Sequence, residues 1–115
     1  MDVDQVAYDL YGCEGPLDDV EALEHALEQA ARAVGATVVA RAQARFQPHG
    51  VTVVLVLAES HALIATWPEH RFAIVDVFLC NPAMDVEAAL TVVSEALRPV
   101  TRLRRSMTHR IAERP

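Results

Sequence analysis

The sequence predicts an α+β fold: a two-layer α/β sandwich, with a mainly antiparallel sheet and two helices on one face. Three observations carry that expectation. Two stretches place apolar residues at three- and four-residue spacing, the mark of a helix with one buried side. The segments between them are β-rich and joined by short turns containing Pro or Gly. The resulting order is strand, helix, several strands, helix, strand. Two helices cannot cover both faces of so large a sheet, so both are expected on one side.

Each element has its own signal. Val3 to Leu10 mixes apolar and polar positions and ends at Tyr11-Gly12, which suits a first strand. Val20, Leu23, Leu27, Ala30, Ala31 and Val34 then trace a helical face, with Pro16 and Asp18 as its start signal and Gly35 at its stop. Ala36 to Phe46 and Val51 to Ala58 form a hairpin about Gln47-Pro48-His49-Gly50. His61 to Trp67 and Arg71 to Cys80 follow, bent at Pro68-Glu69-His70. Asn81-Pro82 breaks the run. Val86, Ala89, Leu90, Val93 and Leu97 trace a second helix from about Asp85, and a last strand runs from Val100 to Met107 before a polar tail.

At 115 residues with 52% apolar side chains, residues 1–115 are expected to be one domain with a proper core. The longest apolar run, Val51 to Ala58, is far too short to span a bilayer, and no basic segment followed by a hydrophobic one opens the chain. A cytoplasmic location without membrane attachment is therefore expected. The net charge of −6 argues against nucleic acid, whose phosphates need a surplus of Lys and Arg. The basic cluster Arg98, Arg102, Arg104, Arg105 and Arg110 reads as a solvated strand face offset by acids in other elements. Two cysteines, Cys13 and Cys80, are too few for a disulfide framework. The histidines His25, His49, His61, His70 and His109 lack the short spacings of a metal site, so no metal is expected. A sheet face free of helices and rich in Val and Leu predicts a homodimer.

The run Leu57-Ala58-Glu59-Ser60-His61, followed by Ala65-Thr66-Trp67-Pro68-Glu69, resembles the bacterial S-adenosylmethionine decarboxylase proenzymes, whose usual run is A-E-S-H, then H-T-W-P-E. Tyr11 and Cys13 fit that family's Y-x-C. Phe46-Gln47-Pro48-His49-Gly50-Val51-Thr52 fits its F-x-P-x-G-V-S, and Asp76-Val77-Phe78-Leu79-Cys80 its D-x-F-x-C. The matches stand in order over roughly residues 5 to 80 and are together far more specific than any one alone.

The resemblance implies a pyruvoyl-dependent decarboxylase. The Ser60 hydroxyl would attack the Glu59 carbonyl and convert the peptide bond into an ester. Elimination would then release residues 1–59 and leave residue 60 as dehydroalanine, which hydrolyses to a pyruvoyl group. That cofactor, derived from Ser60, would form a Schiff base with the amine of S-adenosylmethionine and take up electrons as carbon dioxide leaves. Cys80 stands where the family keeps its proton donor, and Thr52 where a serine assists processing. Phe46 matches an aromatic that stacks on adenine, and Glu69 a carboxylate that accepts hydrogen bonds from the ribose. The product would feed spermidine synthesis. Without the resemblance, Cys80 and Phe46 would be read as core residues, Glu69 as a solvated turn residue and Cys13 as structural.

The departure is Ala65, where the family has a histidine that serves self-processing and lies beside the nucleoside. Three outcomes are compatible with it. Another group, His61 or His70, takes over; or the altered pocket admits another amino acid, such as ornithine or arginine; or cleavage fails and the chain binds a ligand or partner without catalysis. A Ser60, His61, Asp76 hydrolase is disfavoured, because neighbours in an extended strand point to opposite faces and Ser60 lacks a G-x-S-x-G setting.

Overall fold

The computed structural model describes residues 2–58 and 60–112. Its elements are β1 (Asp2–Tyr11), α1 (Val20–Ala33), β2 (Val38–Arg45), β3 (Val51–Leu57), β4 (Ser60–Trp67), a 3-10 turn (Pro68–His70), β5 (Phe72–Leu79), α2 (Val86–Leu97) and β6 (Thr101–Arg110). The strands form one six-stranded sheet in the order β2-β3-β4-β5-β1-β6, and every neighbouring pair is antiparallel.

The alternation of the strands sorts the sheet into two faces. One buried row runs Val53, Ile64, Val75, Tyr8 across β3, β4, β5 and β1, and packs beneath the helices. From α1 come Leu23, Leu27, Ala30 and Ala31, and from α2 come Ala89, Leu90, Val93 and Leu97. Each such fully buried Leu contributes about 1.5–3 kcal/mol. The other face carries three rows: Thr52, Ala65, Ile74, Asp9; then Val54, Leu63, Asp76, Ala7; then Val56, His61, Phe78, Gln5. Neither helix covers it. Leu103, Arg105 and Met107 extend it along β6, where Leu103 and Met107 are exposed.

The helix start differs from the one expected. Asp19, not Asp18, caps α1, its side chain accepting the Ala22 amide hydrogen at 3.1 Å. Asp18 is used elsewhere: its carboxylate accepts from the Gly50 amide (3.0 Å) and its carbonyl from Arg45 (3.1 Å), which fixes the β2–β3 turn. Gly50 has φ +113°, a conformation side chains resist, and an added Cβ would press on the Thr66 carbonyl at 3.3 Å. Asp85 caps α2 through the Glu87 and Ala88 amides. Gly15 is needed for contact, since a Cβ there would lie 2.4 Å from the Ala96 carbonyl oxygen.

The last strand reaches Arg110, three residues beyond its expected end, because β1 pairs with it along its whole length. The arginines at that edge meet acids as expected: Arg104 meets Glu87, Arg105 meets Asp9 at 2.8 Å and Arg110 meets Asp2 at 3.2 Å. On the opposite edge, Arg41 meets Glu28 of α1 at 2.6 Å. Charged residues thus keep both sheet edges solvated. No helix among the described residues is long and apolar enough to cross a membrane.

Candidate active site

The residues singled out in the sequence gather at two opposite ends of the sheet. Ser60 opens β4 and pairs with Leu57 and Leu79, so Cys80, the next residue after Leu79, lies at the same end, just past the adjacent strand. Cys80 is half-buried and borders a cavity of about 160 Å³ with Asp2, Asp4, Asn81 and Met84. Glu59 lies outside the described residues.

Ser60 has φ +149°, a backbone state that L-residues rarely adopt. Such a residue costs about 1–3 kcal/mol and persists only where its surroundings enforce it. Here pairing to strands on both sides does so. The same φ breaks the strand alternation that argued against a Ser60–His61 contact: Ser60 Oγ lies 3.5 Å from His61 Nδ1. His61 Nε2 lies 3.3 Å from Asp76 Oδ2, so the three side chains do line up, and the alternation argument fails at this residue.

The line continues across the open face. Gln5 Nε2 donates to Asp76 at 3.3 Å, and Gln5 Oε1 faces His109 Nε2 at 3.3 Å. The Phe78 ring packs against both imidazoles, at 5.5 and 5.8 Å between centroids. The motif match had picked out Asp76 and Phe78 without giving either a task. Gln5 and His109 went unnoticed as partners because they are distant in sequence and meet only through the β1–β5 and β1–β6 register.

At the other end, Phe46, His49, Thr52, Ala65, Trp67 and Glu69 line a pocket of about 370 Å³. Thr52 pairs directly with Ala65, and His49 Nε2 lies 3.2 Å from Glu69 Oε1. Thr66 points inward, donating to the Leu17 carbonyl (2.7 Å) and accepting from the Val51 amide (2.9 Å), which ties the pocket wall to the core. Phe46, read as core in the absence of the resemblance, is 52% exposed and so available to a ligand. Tyr11, Phe72 and Trp67 form an exposed aromatic group beside His70, with centroids 5.1 and 5.6 Å apart.

The structure therefore unites Phe46, Thr52 and Glu69, and separately Ser60 and Cys80, but does not bring the two sets together. Ser60 and Ala65 stand five positions apart on β4, about 17 Å of strand. Of the histidines weighed as substitutes for the one missing at 65, His61 touches Ser60 and His70 stands at the far end. Cys13 is buried, its thiol directed at the Leu10 carbonyl oxygen at 3.6 Å. Burial pushes that thiol's pKa up against the opposing charge of Arg71.

Residues 4–110 match the S-adenosylmethionine decarboxylase family. The chain belongs to that family. It is 40% identical over 94 residues to the S-adenosylmethionine decarboxylase proenzyme of Pseudomonas aeruginosa, covering 81% of this chain and 59% of that relative. It is 41% identical over 93 residues to the proenzyme of the same name in Acidithiobacillus ferrooxidans, covering 80% and 70%. The chain thus spans 59% of the length of the Pseudomonas relatives. The crystal structure of the adenosylmethionine decarboxylase from Aquifex aeolicus superposes with a TM-score of 0.87 at 34% identity, covering 98% of this chain and 94% of that one. The α+β sandwich with one antiparallel sheet is thus the family's fold.

Proposed function

We propose that the chain is a proenzyme that cuts itself between Glu59 and Ser60, turns Ser60 into a pyruvoyl group and, as a homodimer, decarboxylates S-adenosylmethionine for spermidine synthesis in the cytoplasm. The observation that carries this reading is the arrangement of one matched set at each end of the sheet: Ser60 with Cys80, and Phe46 with Thr52 and Glu69. The strained φ at Ser60 and the imidazole beside its hydroxyl fit a residue built to leave its peptide bond.

The pyruvoyl group supplies the electron sink that loss of carbon dioxide requires. The chain's own residues do the rest. Phe46 stacks on the adenine, and Glu69 accepts hydrogen bonds from the ribose hydroxyls. Cys80 holds the proton that replaces the departing carboxyl. Thr52 donates to the Glu59 carbonyl oxygen as charge develops there during cleavage. A reducing cytoplasm keeps the Cys80 thiol free for its task.

A second copy supplies what one chain lacks. The Leu63 row of the open face lies midway between the His61 row and the Ala65 row. A two-fold axis through it sets the Ser60 end of one protomer against the partner's Phe46–Glu69 pocket, and does so twice. The open face is then buried, which accounts for Val56, Leu103 and Met107 exposed in the single chain.

Ala65 favours a second reading at the level of substrate. It presents only a methyl group to the pocket wall, so the same chemistry acting on ornithine or arginine is the alternative. An uncleaved relative that only binds a ligand or a partner is the other. Intact-protein mass spectrometry tests the first step. Self-cleavage predicts fragments of 59 and 56 residues, which sum to the 115 of the chain, the second blocked at its N-terminus. A single uncut species after prolonged incubation would overturn the enzyme reading.

A further inference from the structure

The hydrogen-bonded line from Ser60 to His109 has a direction. Asp76, as a carboxylate, can only accept, so the proton of a neutral His61 sits on Nε2 and its Nδ1 lone pair faces the Ser60 hydroxyl. The Gln5 amide is fixed likewise: its NH2 donates to Asp76 and its carbonyl accepts from His109 Nε2. Every donor in the line therefore meets an acceptor, across β4, β5, β1 and β6. The Asp76 carboxylate is half-buried, and Phe78 closes one side of the imidazole. A surface histidine with no task has no need of this support.

Resting on the self-cleavage reading, we propose that His61 is the base of that cleavage, with Asp76 as the residue that positions it. Ser60 Oγ forms a bond to the Glu59 carbonyl carbon, and the bond from that carbon to the Ser60 nitrogen breaks. The hydroxyl proton passes to His61 Nδ1 and from there to the freed nitrogen. An amide and an alcohol become an ester and an amine, with no net proton or electron gained and no co-reactant. Ala65, a methyl at the opposite end of its own chain, has no part in this transfer.

The test follows conversion of the purified 115-residue precursor into its 59- and 56-residue fragments over time. The rate is compared for the native chain, His61→Ala, His61→Gln and Asp76→Asn. Loss of a positioned base slows a reaction by about 100-fold or more, so both His61 variants should cleave at that reduced rate. Free imidazole should partly restore His61→Ala, which a merely structural role would not allow. His61→Gln keeps size and polarity and carries the test should His61→Ala not fold. Asp76→Asn should slow cleavage less, with an unchanged melting temperature, because it frees the ring to take the wrong tautomer. A native chain that cleaves beside a His61→Gln chain that cleaves equally fast would overturn the role of His61 alone. A native chain that stays whole would overturn this role together with the self-cleavage reading.

Discussion

The two ends of the sheet are built differently. At the Ser60 end, polar groups are held by one another: a hydroxyl, an imidazole, a carboxylate and an amide joined in a line, with a thiol just past the end of the neighbouring strand. At the Phe46 end a larger pocket combines exposed aromatic rings with a His49–Glu69 pair. One end is a line of polar side chains strung across neighbouring strands, and the other is a cavity walled by rings and an ion pair. An antiparallel strand some eight residues long keeps them apart, so the two matched sets do not meet within one chain, and the proposed second copy is what would join them.

The largest effect should come from removing the reacting atom. Ser60→Ala leaves no hydroxyl to attack, so that protein should run as one uncut species by intact mass; fragments from it would place the chemistry elsewhere. Next in size is Thr52→Val, which removes a donor to the developing oxyanion. Cleavage should slow by about 10²–10³-fold if the partner's pocket serves Ser60, as read from the time course of fragment formation. Leu63→Glu would bury a charge at the middle of the open face if that face is an interface. Sedimentation should then drop from twice 12.6 kDa to 12.6 kDa, and cleavage should fall with it.

Leu55→Ala acts on the layer that both ends share. Leu55 is fully buried, so the cost should be about 2–5 kcal/mol by chemical or thermal unfolding, with no preference for either end. The smallest effect compares the thiols. Cys13, buried near the Phe46 end with its pKa raised, should react with iodoacetamide far more slowly at neutral pH than the half-buried Cys80, which a reagent can reach. Equal labelling of both would remove that contrast.

Much of the fold was legible because each element is locally consistent. The periods of α1 and α2 and the Pro- and Gly-bearing turns name their own segments. Element ends were less so: Asp18 looks as good a cap as Asp19 until the β2–β3 turn claims it. The motif residues were legible as a set, yet their separation into two ends was not, since order along the chain carries no register. Knowing that Thr52 pairs with Ala65 while Ser60 pairs with Leu57 is what divides them. The Ser60–His61 contact was hidden for another reason: regular strand alternation argues against it, and Ser60 departs from regular strand geometry. Gln5 and His109, far apart in the chain, become partners only through pairing on both sides of β1.

Mixing two defective chains tests the shared site most directly. Ser60→Ala cannot cleave but keeps Thr52; Thr52→Val keeps Ser60 but lacks the donor. If the proposed homodimer forms, co-expression or joint refolding gives mixed dimers in which one of the two composite sites is whole. Fragments from the Thr52→Val chain should then appear markedly faster than from that chain alone. If adding the Ser60→Ala chain leaves its rate unchanged while mixed dimers are present, each protomer works by itself and the two ends of the sheet do not meet across an interface.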